Sequence, residues 1–589
     1  MIKVSDYIAK KLYSFGLNQV FMVTGGGAMH LNDAFAHNSP FKVTYNHHEQ
    51  ACAIAAEGFY RATGQVAIVN ITTGPGGLNT LTGLLGQWTD SIPTIYISGQ
   101  VKYETTLMSC RELNLRQLGD QEVDIIPIVT PLTKYAISVT DPKAIRKELE
   151  KAWRVAMSGR KGPVWLDIPM NVQGAMVEEN TLEEFSACSE LKTLPDTSLI
   201  VDLLAKAKKP VFVAGHGLRL AGAIDSLYRV LERSPIPVVS TFNGFDIMPS
   251  EHPCNCGRIG TIGTRGGNIT LQNADLVVFL GSRNNIRQVS YNWENFAKDA
   301  VTVSIDIDPA ELTKPTFKPT HAVCADLAAF MPSLEQGLRD STFPDFSSWL
   351  RWAKERSDKY PTVLPAHYSE KDLLNPYPFM KVFTEGVRAD DVVVAGNGSA
   401  CVVLFQAGVV KSGQRIFWNS GCASMGYDLP AAIGAASGGG KTVWCLAGDG
   451  SLQMNLQELA TVMHNKLPVK VVYLNNGGYV SIRQTQVNFF GAQYGCGTSN
   501  GLGFPNIQAL ATAYGLPYYS SRSIDGLSED VANVAHAPGP LLWEVFLKLD
   551  YSFEPKLSSR RLSDGKMVSP SLEDMYPFLS DEEMKSNRF

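Results

Sequence analysis

Two polar loops, each directly after an apolar run, carry the residues of this chain best suited to chemistry. The motif Gly-Asp-Gly at 448–450 follows the run 442–447, and Asn-Asn at 475–476 follows the run 469–474. Because the carboxyl ends of parallel strands meet at one edge of a sheet, the two loops should lie together. Carboxylate and amide oxygens suit Mg²⁺, and glycines beside the aspartate let a phosphate approach the backbone. A helix beginning near Leu452 would point its N-terminus at that phosphate.

Each loop alone could be an ordinary β-turn, because Asp-Gly and Asn-Gly are common turn dipeptides. The combination, with 24 residues between the halves and an apolar run before each, favours a site for a metal ion and a diphosphate. A nicotinamide dehydrogenase is disfavoured, since no strand leads into a complete Gly-x-Gly-x-x-Gly. The run Gly-Gly-Gly-Lys-Thr at 438–442 is similar to the end of a P-loop. A P-loop NTPase is nevertheless disfavoured, because Ala435 stands where the motif requires its first glycine, five residues before Gly440, and Lys441 precedes a strand instead of following one.

The whole chain alternates short apolar runs with longer helical stretches, which is typical of parallel α/β layers. This pattern predicts an α/β protein with three consecutive doubly wound parallel-sheet domains at 1–180, 195–340 and 370–548, followed by an irregular C-terminal arm at 549–589. The predicted strands lie at 19–23, 42–45, 66–71, 93–97, 163–168, 210–214, 237–240, 276–280, 301–305, 392–395, 415–418, 442–446, 469–474 and 541–546.

The composition excludes several classes of protein. The chain has 589 residues, with 52 Lys and Arg against 57 Asp and Glu, a net charge of −5 and no block of like charge. Nucleic acid and anionic membranes are therefore not expected partners. No apolar run is long enough to predict a membrane span. The first residues lack the pattern of a signal peptide and the ten cysteines are scattered, which predicts a cytoplasmic protein without a disulfide framework.

Several stretches of the chain, in order, resemble the acetohydroxyacid (acetolactate) synthase branch of the thiamine-diphosphate-dependent enzymes. Besides the two motifs above, the matching stretches are His-Glu-Gln at 48–50, Ala-Ala-Glu-Gly at 55–58, Thr-Gly-Pro-Gly at 73–76, Asp-Ser-Ile-Pro at 90–93 and Asn-Leu-Gln-Glu-Leu at 455–459. The resemblance covers residues 2–546 and implies a pyrimidine-binding, a central and a diphosphate-binding domain, in that order. It also implies thiamine diphosphate and Mg²⁺ as cofactors, small-molecule substrates, and a homodimer or homotetramer.

The resemblance implies a role for each matching residue. Mg²⁺ would be held by Asp449, Asn476 and the carbonyl of Gly478. Glu49 would hydrogen-bond N1′ of the cofactor's aminopyrimidine and move a proton there, facing the metal site across a subunit interface. Further cofactor contacts would come from Pro75, Asn79, Gly398, Ser399, Ala400, Ala423, Met425, Gly448, Gly450, Ser451 and Tyr479. Gln121 and His30 would be further catalytic residues, although His30 could equally be a residue that only begins a helix.

The middle of the chain resembles the FAD-binding domain of the synthases. The candidate FAD contacts are Gly215, Gly217, Thr241, Arg283, Asp306 and Asp326. Some relatives bind ADP or nothing in this domain, and these alternatives stay open.

The resemblance implies a carboligase that decarboxylates pyruvate, or a close 2-oxo acid, and transfers the two-carbon acetyl unit to a carbonyl acceptor. Thr485 stands where the synthases usually carry the tryptophan that favours 2-oxobutyrate, so a larger or more hydroxylated acceptor is expected. The run 478–483 and the tail at 564–579 are similar to synthase-like proteins of surface-polysaccharide pathways, which transfer the unit to a nucleotide-activated keto-deoxysugar. The main alternative is acetolactate synthesis with a second pyruvate as acceptor.

A third interpretation is a catalytically inactive regulatory paralogue. Glu49, Asp449 and Asn476 are all present, which argues against it.

Overall fold

The computed structural model describes residues 1–37, 40–186, 194–339, 341–369, 372–561 and 567–589. The predicted domain boundaries at 340 and 370, and residues 564–565 of the tail, lie outside these ranges. The described strands are β1 (Ile2–Lys3), β2 (Gln19–Met22), β3 (Lys42–Tyr45), β4 (Ile68–Ile71), β5 (Ile95–Gln100), β6 (Tyr135–Ser138), β7 (Val164–Pro169), β8 (Met176–Val177), β9 (Pro210–Ala214), β10 (Val238–Ser240), β11 (Asn255–Arg258), β12 (Leu276–Leu280), β13 (Val301–Asp306), β14 (His321–Cys324), β15 (Val392–Ala395), β16 (Arg415–Phe417), β17 (Val443–Gly448), β18 (Val469–Asn475), β19 (Tyr518–Ser521), β20 (Leu541–Phe546), β21 (Arg560–Arg561) and β22 (Met567–Val568).

The described helices are α1 (Val4–Ser14), α2 (Met29–His37), α3 (Glu49–Thr63), α4 (Pro75–Asn79), α5 (Leu81–Asp90), α6 (Ile125–Val129), α7 (Ile145–Met157), α8 (Met170–Gln173), α9 (Ser198–Lys206), α10 (Gly217–Leu220), α11 (Ile224–Arg233), α12 (Arg265–Asn273), α13 (Ile286–Val289), α14 (Pro309–Thr313), α15 (Leu327–Arg339), α16 (Ser347–Lys359), α17 (Pro376–Gly386), α18 (Ser399–Ala407), α19 (Asp428–Ser437), α20 (Asp449–Met454), α21 (Glu458–His464), α22 (Val480–Phe490), α23 (Ile507–Tyr514), α24 (Leu527–His536) and α25 (Asp581–Ser586). Short 3-10 helices lie at Gly26–Ala28, Tyr103–Thr105, Leu107–Leu113, Thr130–Leu132, Pro142–Ala144, Glu179–Thr181, Phe242–Gly244, Trp293–Asn295, Pro365–Tyr368 and Thr498–Asn500.

The described chain contains three six-stranded parallel sheets, one in each predicted domain. The first has the order β3-β2-β4-β5-β7-β6, and the third has the equivalent order β16-β15-β17-β18-β20-β19. The middle sheet has the order β11-β10-β9-β12-β13-β14. Alternate residues of a strand pack into different hydrophobic clusters, as Val392 and Val394 do on one face of the third sheet and Val393 and Ala395 on the other. The predicted class of three doubly wound α/β domains is confirmed, whereas the predicted boundary residues stay a prediction.

Helices α3 and α19 join the first domain to the third. A Cβ atom on Gly58 would lie 2.1 Å from the carbonyl oxygen of Ala431, and one on Gly434 would lie 1.9 Å from that of Ala55. These distances are far inside van der Waals contact, so the two helices cross closely only because both positions are glycine. The crossing fixes α3, and with it Glu49 at its first turn, against the third domain.

The C-terminal arm runs from the third domain onto the middle domain. Arg265 donates to the carbonyl oxygens of Met575 at 3.2 Å and Pro577 at 2.6 Å. The terminal Phe589 packs edge-on against Trp349, with ring centroids 5.2 Å apart. The described part of the arm is largely irregular apart from β21, β22 and α25.

No helix in the described ranges has the length and apolar character needed to cross a membrane.

Candidate active site

The predicted metal site lies at the switch point of the third sheet. The chain passes from β15 to the edge strand β16 and then returns to the other side of β15 as β17. Ligands of such sheets bind at the carboxyl ends of the two strands that flank this point. The loop 396–398 follows β15, and Asp449 follows β17. The parallel pairing of β17 with β18 brings Asn476, one residue beyond β18, to the same edge.

The carboxylate of Asp449 is buried and held by two backbone N–H groups. Gly478 donates to Oδ2 at 2.7 Å and Gly450 donates to Oδ1 at 2.8 Å. Burial raises the pKa of Asp449 to about 6, although these hydrogen bonds and the charge of Arg483 act to lower it. A carboxylate that burial makes harder to ionise is stabilised in its charged form by a nearby cation.

The side-chain oxygen of Asn476 points into a cluster of other oxygens. It lies 3.2 and 3.1 Å from Oδ1 and Oδ2 of Asp449 and 2.6 Å from the carbonyl oxygen of Gly478. The amide nitrogen of Asn476 meanwhile donates to Oγ of Ser399 at 3.0 Å. The oxygen contacts become favourable if the amide is turned over or if a cation lies among the oxygens. Octahedral Mg²⁺ with ligands at about 2.1 Å places neighbouring ligand oxygens about 3 Å apart, so the cluster fits this ion.

Glycine is needed at different positions around the site for different physical reasons. A Cβ atom on Gly450 would lie 1.8 Å from the ring of Tyr479, so the ring can pack on the backbone only because no side chain is there. At Gly478 φ is +125°, a left-handed conformation that favours glycine. A Cβ atom on Gly398 or Gly448 would meet nothing within 4 Å. Their bare backbone therefore faces open space, as the approach of a phosphate requires.

The N-terminus of α18 faces the same edge. In the described chain, the N–H groups of Cys401 and Val402 donate to carbonyls just before the helix, while those of Ser399 and Ala400 have no backbone acceptor. Unpaired N–H groups and the helix dipole favour an anion at this position. The predicted diphosphate contacts of this loop therefore have a physical basis.

The loop 423–426, which carries Met425, is held in place by three polar side chains. Asn397 donates to the carbonyl of residue 424 at 2.7 Å, and Asn455 donates to that of residue 426 at 2.7 Å. Ser451 accepts from the N–H of residue 426 at 2.9 Å. Ser451, predicted as a cofactor contact, is thus placed as a support of this loop. Met425 is half-buried on this hydrogen-bonded segment.

Glu49 lies at the first turn of α3, and its side chain is hydrogen-bonded to Asn79, which is also a predicted cofactor contact. Asn79, at the end of α4, donates to Oε2 of Glu49 at 2.9 Å. The loop before α4 follows β4, which flanks the switch point of the first sheet between β2 and β4, and the loop before α3 follows the edge strand β3, next to β2. The first domain thus brings together the carboxylate and the amide that the sequence pattern singled out.

Gln121 and His30 lie at the same edge of the first domain but in different surroundings. Gln121 is exposed, and its carbonyl oxygen lies 1.9 Å from where a Cβ atom on Gly74 would be, so it borders the residue that precedes α4. His30 packs against Gly174, with Nε2 3.0 Å from the Cβ position there. No hydrogen bond in the described ranges joins either residue to Glu49.

The middle sheet changes direction between β9 and β12, and a cavity of about 260 Å³ opens there. Of the six predicted FAD contacts, the cavity is lined by Gly217, Thr241, Arg283, Asp306 and Asp326. Gly215 is not among the lining residues. A Cβ atom on it would lie 2.2 Å from the carbonyl oxygen of Gly281, so this glycine allows two loops to pack closely.

A buried ion network, to which no role was predicted, joins the three domains. Arg61 donates to Glu57 at 2.8 Å and to Asp90 at 2.6 Å, and all three side chains are fully or almost fully buried. Tyr427 of the third domain donates to Glu57 at 3.1 Å, and Asn243 of the middle domain donates to Asp90 at 3.2 Å. Breaking such a network would leave buried charges unpaired, so it fixes the relative position of the domains.

Known proteins match this arrangement along nearly the whole chain. Family models described as thiamine pyrophosphate enzyme N-terminal TPP binding domain, central domain and C-terminal TPP binding domain match residues 2–127, 197–334 and 396–545. The acetolactate synthase large subunit of Lactococcus lactis is 30% identical over 566 residues, covering 95% of each chain. The chain belongs to the acetolactate synthase family of thiamine-diphosphate-dependent enzymes. The acetolactate synthase isozyme 2 large subunit of Escherichia coli is 31% identical over 546 residues, covering 92% of this chain and 95% of that protein.

Membership in the acetolactate synthase family confirms the predicted resemblance and the order of the three domains. The protein is a thiamine-diphosphate-dependent, acetolactate synthase-like transferase of aldehyde or ketone residues. Sequence reasoning missed the supports of this site, above all Asn397 and Asn455. Asn455 lies in a stretch that resembles the family, and this resemblance could have indicated that the residue matters. Only the structure shows that its side chain supports the loop 423–426.

Proposed function

We propose that this acetolactate synthase-like enzyme is a carboligase that decarboxylates pyruvate, or a close 2-oxo acid, and transfers the two-carbon unit to a carbonyl acceptor. The observation that carries the proposal is the cluster of oxygens from Asp449, Asn476 and Gly478 beside the N-terminus of α18, which suits a diphosphate bound through Mg²⁺. Its relatives that are named acetolactate synthase support the reaction class.

The residues would divide the chemistry between two domains. Thiamine diphosphate, when bound, supplies the nucleophilic carbon on which decarboxylation of a 2-oxo acid and transfer of its two-carbon unit depend. Asp449, Asn476 and the carbonyl of Gly478 would hold the Mg²⁺. Glu49 would hold and move the proton at N1′ of the aminopyrimidine. Asn79, which donates to Glu49 at 2.9 Å, orients that carboxylate.

The remaining cofactor contacts would come from the bare backbone of Gly398 and Gly448, from Ala400 at the start of α18, from Pro75 at the start of α4, and from the loops that carry Ala423, Met425 and Tyr479. Met425 stands on a segment held by three side chains and so offers a fixed apolar support. Gln121 and His30 stay proposals as further catalytic residues. Gln121, beside the N-terminus of α4, is the better placed of the two.

The preferred acceptor in our proposal is a nucleotide-activated keto-deoxysugar. Thr485 is exposed on α22, the helix that also carries Arg483, whose guanidinium donates to the carbonyl of Asn476 at 3.0 Å. The hydroxyl of Thr485 donates to the carbonyl of Ser481 at 3.0 Å. A short, exposed side chain at this point leaves space that a tryptophan would fill, which favours a large and hydroxylated acceptor.

The second candidate acceptor is another molecule of pyruvate, which would give acetolactate. The observation in its favour is that relatives named acetolactate synthase align with 92–95% of this chain.

Turnover of ¹³C-labelled pyruvate, followed by NMR in the presence of thiamine diphosphate and Mg²⁺, separates the two acceptors. We expect little product from pyruvate alone and a labelled branched sugar when a nucleotide-linked keto-deoxysugar is added. Rapid acetolactate formation from pyruvate alone would establish the second candidate. No labelled CO₂ and no labelled product under either condition would contradict the carboligase proposal. In the variant Thr485→Trp, the reaction with the sugar should slow by about tenfold or more, because the added ring fills the acceptor space.

We also propose that FAD binds in the cavity of the middle domain. The cavity lies at the switch point of a sheet whose strand order is typical of dinucleotide-binding domains. His216 lines it, and both ring nitrogens of this residue are buried without a hydrogen bond of normal geometry in the described chain. Burial, together with the charges of Arg61, Arg415 and Arg219, lowers the pKa of His216 well below its usual value, so a neutral ring stands in the wall of the cavity.

The FAD proposal is tested by denaturing the purified protein and measuring the absorbance and mass of what is released. A flavin spectrum and the mass of FAD are expected. Release of ADP without a flavin spectrum, or of no nucleotide, would contradict it.

For the assembly we infer a homodimer or homotetramer, in which Glu49 of one chain faces the metal site of another, in a cytoplasmic protein. The family resemblance supports the shared site. Light scattering of the protein with thiamine diphosphate bound should give the mass of two or four chains, and the mass of one chain would contradict the inference.

A further inference from the structure

The chain on either side of Glu49 is held by one short segment of the third domain. Asn46 and His47 precede Glu49 in the loop between β3 and α3, and Gln50 follows it. The segment 455–458, which follows α20 and ends at the first residue of α21, contacts all three of these residues. Glu49 is therefore flanked on both sides by residues that the third domain holds in place.

Glu458 makes the contacts on the side that precedes Glu49. One oxygen of its carboxylate, Oε1, accepts from the N–H of His47 at 2.9 Å. The other, Oε2, accepts from the side-chain amide of Asn46 at 2.9 Å and from the hydroxyl of Thr461 at 2.7 Å. Glu458 is fully buried, so bulk water does not compete for these hydrogen bonds.

On the side that follows Glu49, the contact is made by Asn455. Its amide nitrogen donates to Oε1 of Gln50 at 2.9 Å as well as to the carbonyl of Gly426. At the start of α3, Nδ1 of His48 accepts from the N–H of Gln50 at 3.1 Å and so caps the helix. These bonds fix where α3 begins, and therefore the direction in which the side chain of Glu49 leaves its first turn.

The crossing of α3 with α19 does not fix this first turn by itself. The crossing lies near Gly58, which is roughly two and a half turns along α3 from Glu49. The first turn of a helix lacks part of its backbone hydrogen bonds, so it needs partners of its own. Asn79 orients one oxygen of the Glu49 carboxylate, whereas Glu458 holds the backbone that leads into it.

We propose that Glu458 is a positioning residue for Glu49: it holds the loop 46–48 so that the carboxylate of Glu49 stands within reach of N1′ of the aminopyrimidine. This inference rests on the proposed role of Glu49 in moving that proton. A general acid or base works only within hydrogen-bond reach of its proton, and a displacement of about 1 Å can slow a reaction by about a hundredfold.

The test compares Glu458→Leu with Glu458→Gln in the exchange of the C2 proton of bound thiamine diphosphate into D₂O. Leucine has similar bulk but no polar atom, so the N–H of His47 loses its acceptor. Glutamine can keep the contacts, because its oxygen can accept from His47 while its NH₂ group donates to the amide of Asn46, turned over. We expect Glu458→Leu to slow the exchange by about ten- to a hundredfold and Glu458→Gln to stay within about threefold of the wild type.

Two controls separate positioning from a purely structural role. Binding of inorganic pyrophosphate in Mg²⁺, followed by tryptophan fluorescence, should change by less than about twofold in both Glu458 variants, because the oxygen cluster at Asp449 is intact. Glu573→Leu is the matched variant elsewhere, since Glu573 is buried and accepts from Gln272 at 2.9 Å where the arm meets the middle domain. It should lower the melting temperature but leave the exchange at the wild-type rate.

The outcomes separate this inference from the proposed function. If Glu458→Leu exchanges at the wild-type rate while Glu49→Gln is slow, the role of Glu49 stands and Glu458 only packs the two domains together. Equal slowing in Glu458→Leu and Glu458→Gln would also overturn the inference, because the charge would then matter and not the hydrogen bonds. If Glu49→Gln itself exchanges at the wild-type rate, the proposed role of Glu49 is wrong.

Glu458→Asp takes the place of the leucine variant if leucine prevents folding. Its carboxylate is one methylene shorter and cannot reach both Asn46 and His47 from the same backbone, so the same slowing is expected. Exchange at the wild-type rate in the folded Glu458→Asp protein would overturn the inference in the same way.

Discussion

Asp449→Asn should weaken the binding of thiamine diphosphate in Mg²⁺ by at least about a hundredfold, since even residues behind a metal's ligands commonly contribute ten- to a hundredfold. The amide keeps the size of the carboxylate but removes the single negative charge of the oxygen cluster. Only the neutral oxygens of Asn476 and Gly478 would remain to hold the cation. Isothermal titration of the variant with thiamine diphosphate in Mg²⁺ measures the effect.

Asp390→Asn provides the control for the loss of one carboxylate in the same domain. Asp390 is exposed and pairs with Arg388 at 3.1 Å on the surface, so the variant should bind the cofactor as the wild type does. Melting curves without cofactor should show that both variants are folded. An Asp449→Asn protein that binds within a few-fold of the wild type would remove Asp449 from the metal site.

Glu49→Gln should slow the exchange of the proton at C2 of the bound thiazolium by about a hundred- to ten-thousandfold, the usual contribution of a positioned acid or base. Glutamine can still hydrogen-bond the aminopyrimidine and keep its contact with Asn79, but it cannot take up and release the proton. The affinity for thiamine diphosphate should therefore change only a few-fold. Exchange into D₂O, quenched with acid and followed by NMR, measures the rate.

Glu112→Gln is the matched control for Glu49→Gln, because Glu112 is an exposed carboxylate of the same domain. Its exchange rate should equal that of the wild type. If Glu49→Gln also exchanges at the wild-type rate with the cofactor bound, another group moves the proton and the assigned role of Glu49 is wrong.

The inner strands could be predicted from the sequence because both of their faces are buried, which gives continuous apolar runs such as that of β12. The edge strands β6, β11, β14 and β19 were not predicted. Their residues are mostly half-buried or exposed, and β14 has no fully buried residue at all among its four. A strand with one neighbour needs little apolar sequence, so its pattern is weak.

In the site too, residues in short local motifs could be predicted, whereas residues that act through contacts with distant parts of the chain could not. Asp449, Asn476 and Gly478 lie in short motifs after strands, and the topology then brings them together. The ion network of Glu57 and Arg61 and the support of the loop 423–426 by Asn397 and Asn455 depend on contacts between distant parts of the chain. No local pattern can predict those contacts, because they arise only when the domains are packed.

The most direct test of the metal-diphosphate site is to titrate the wild-type protein with thiamine diphosphate, first in Mg²⁺ and then after complete chelation of divalent ions. Because the oxygens of Asp449, Asn476 and Gly478 would otherwise face the diphosphate without a cation between them, we expect tight binding in Mg²⁺ and at least about a hundredfold weaker binding after chelation. Restoring Mg²⁺ should restore the affinity. Equal affinity with and without divalent ions would contradict the assignment of this oxygen cluster as the site that holds the cofactor.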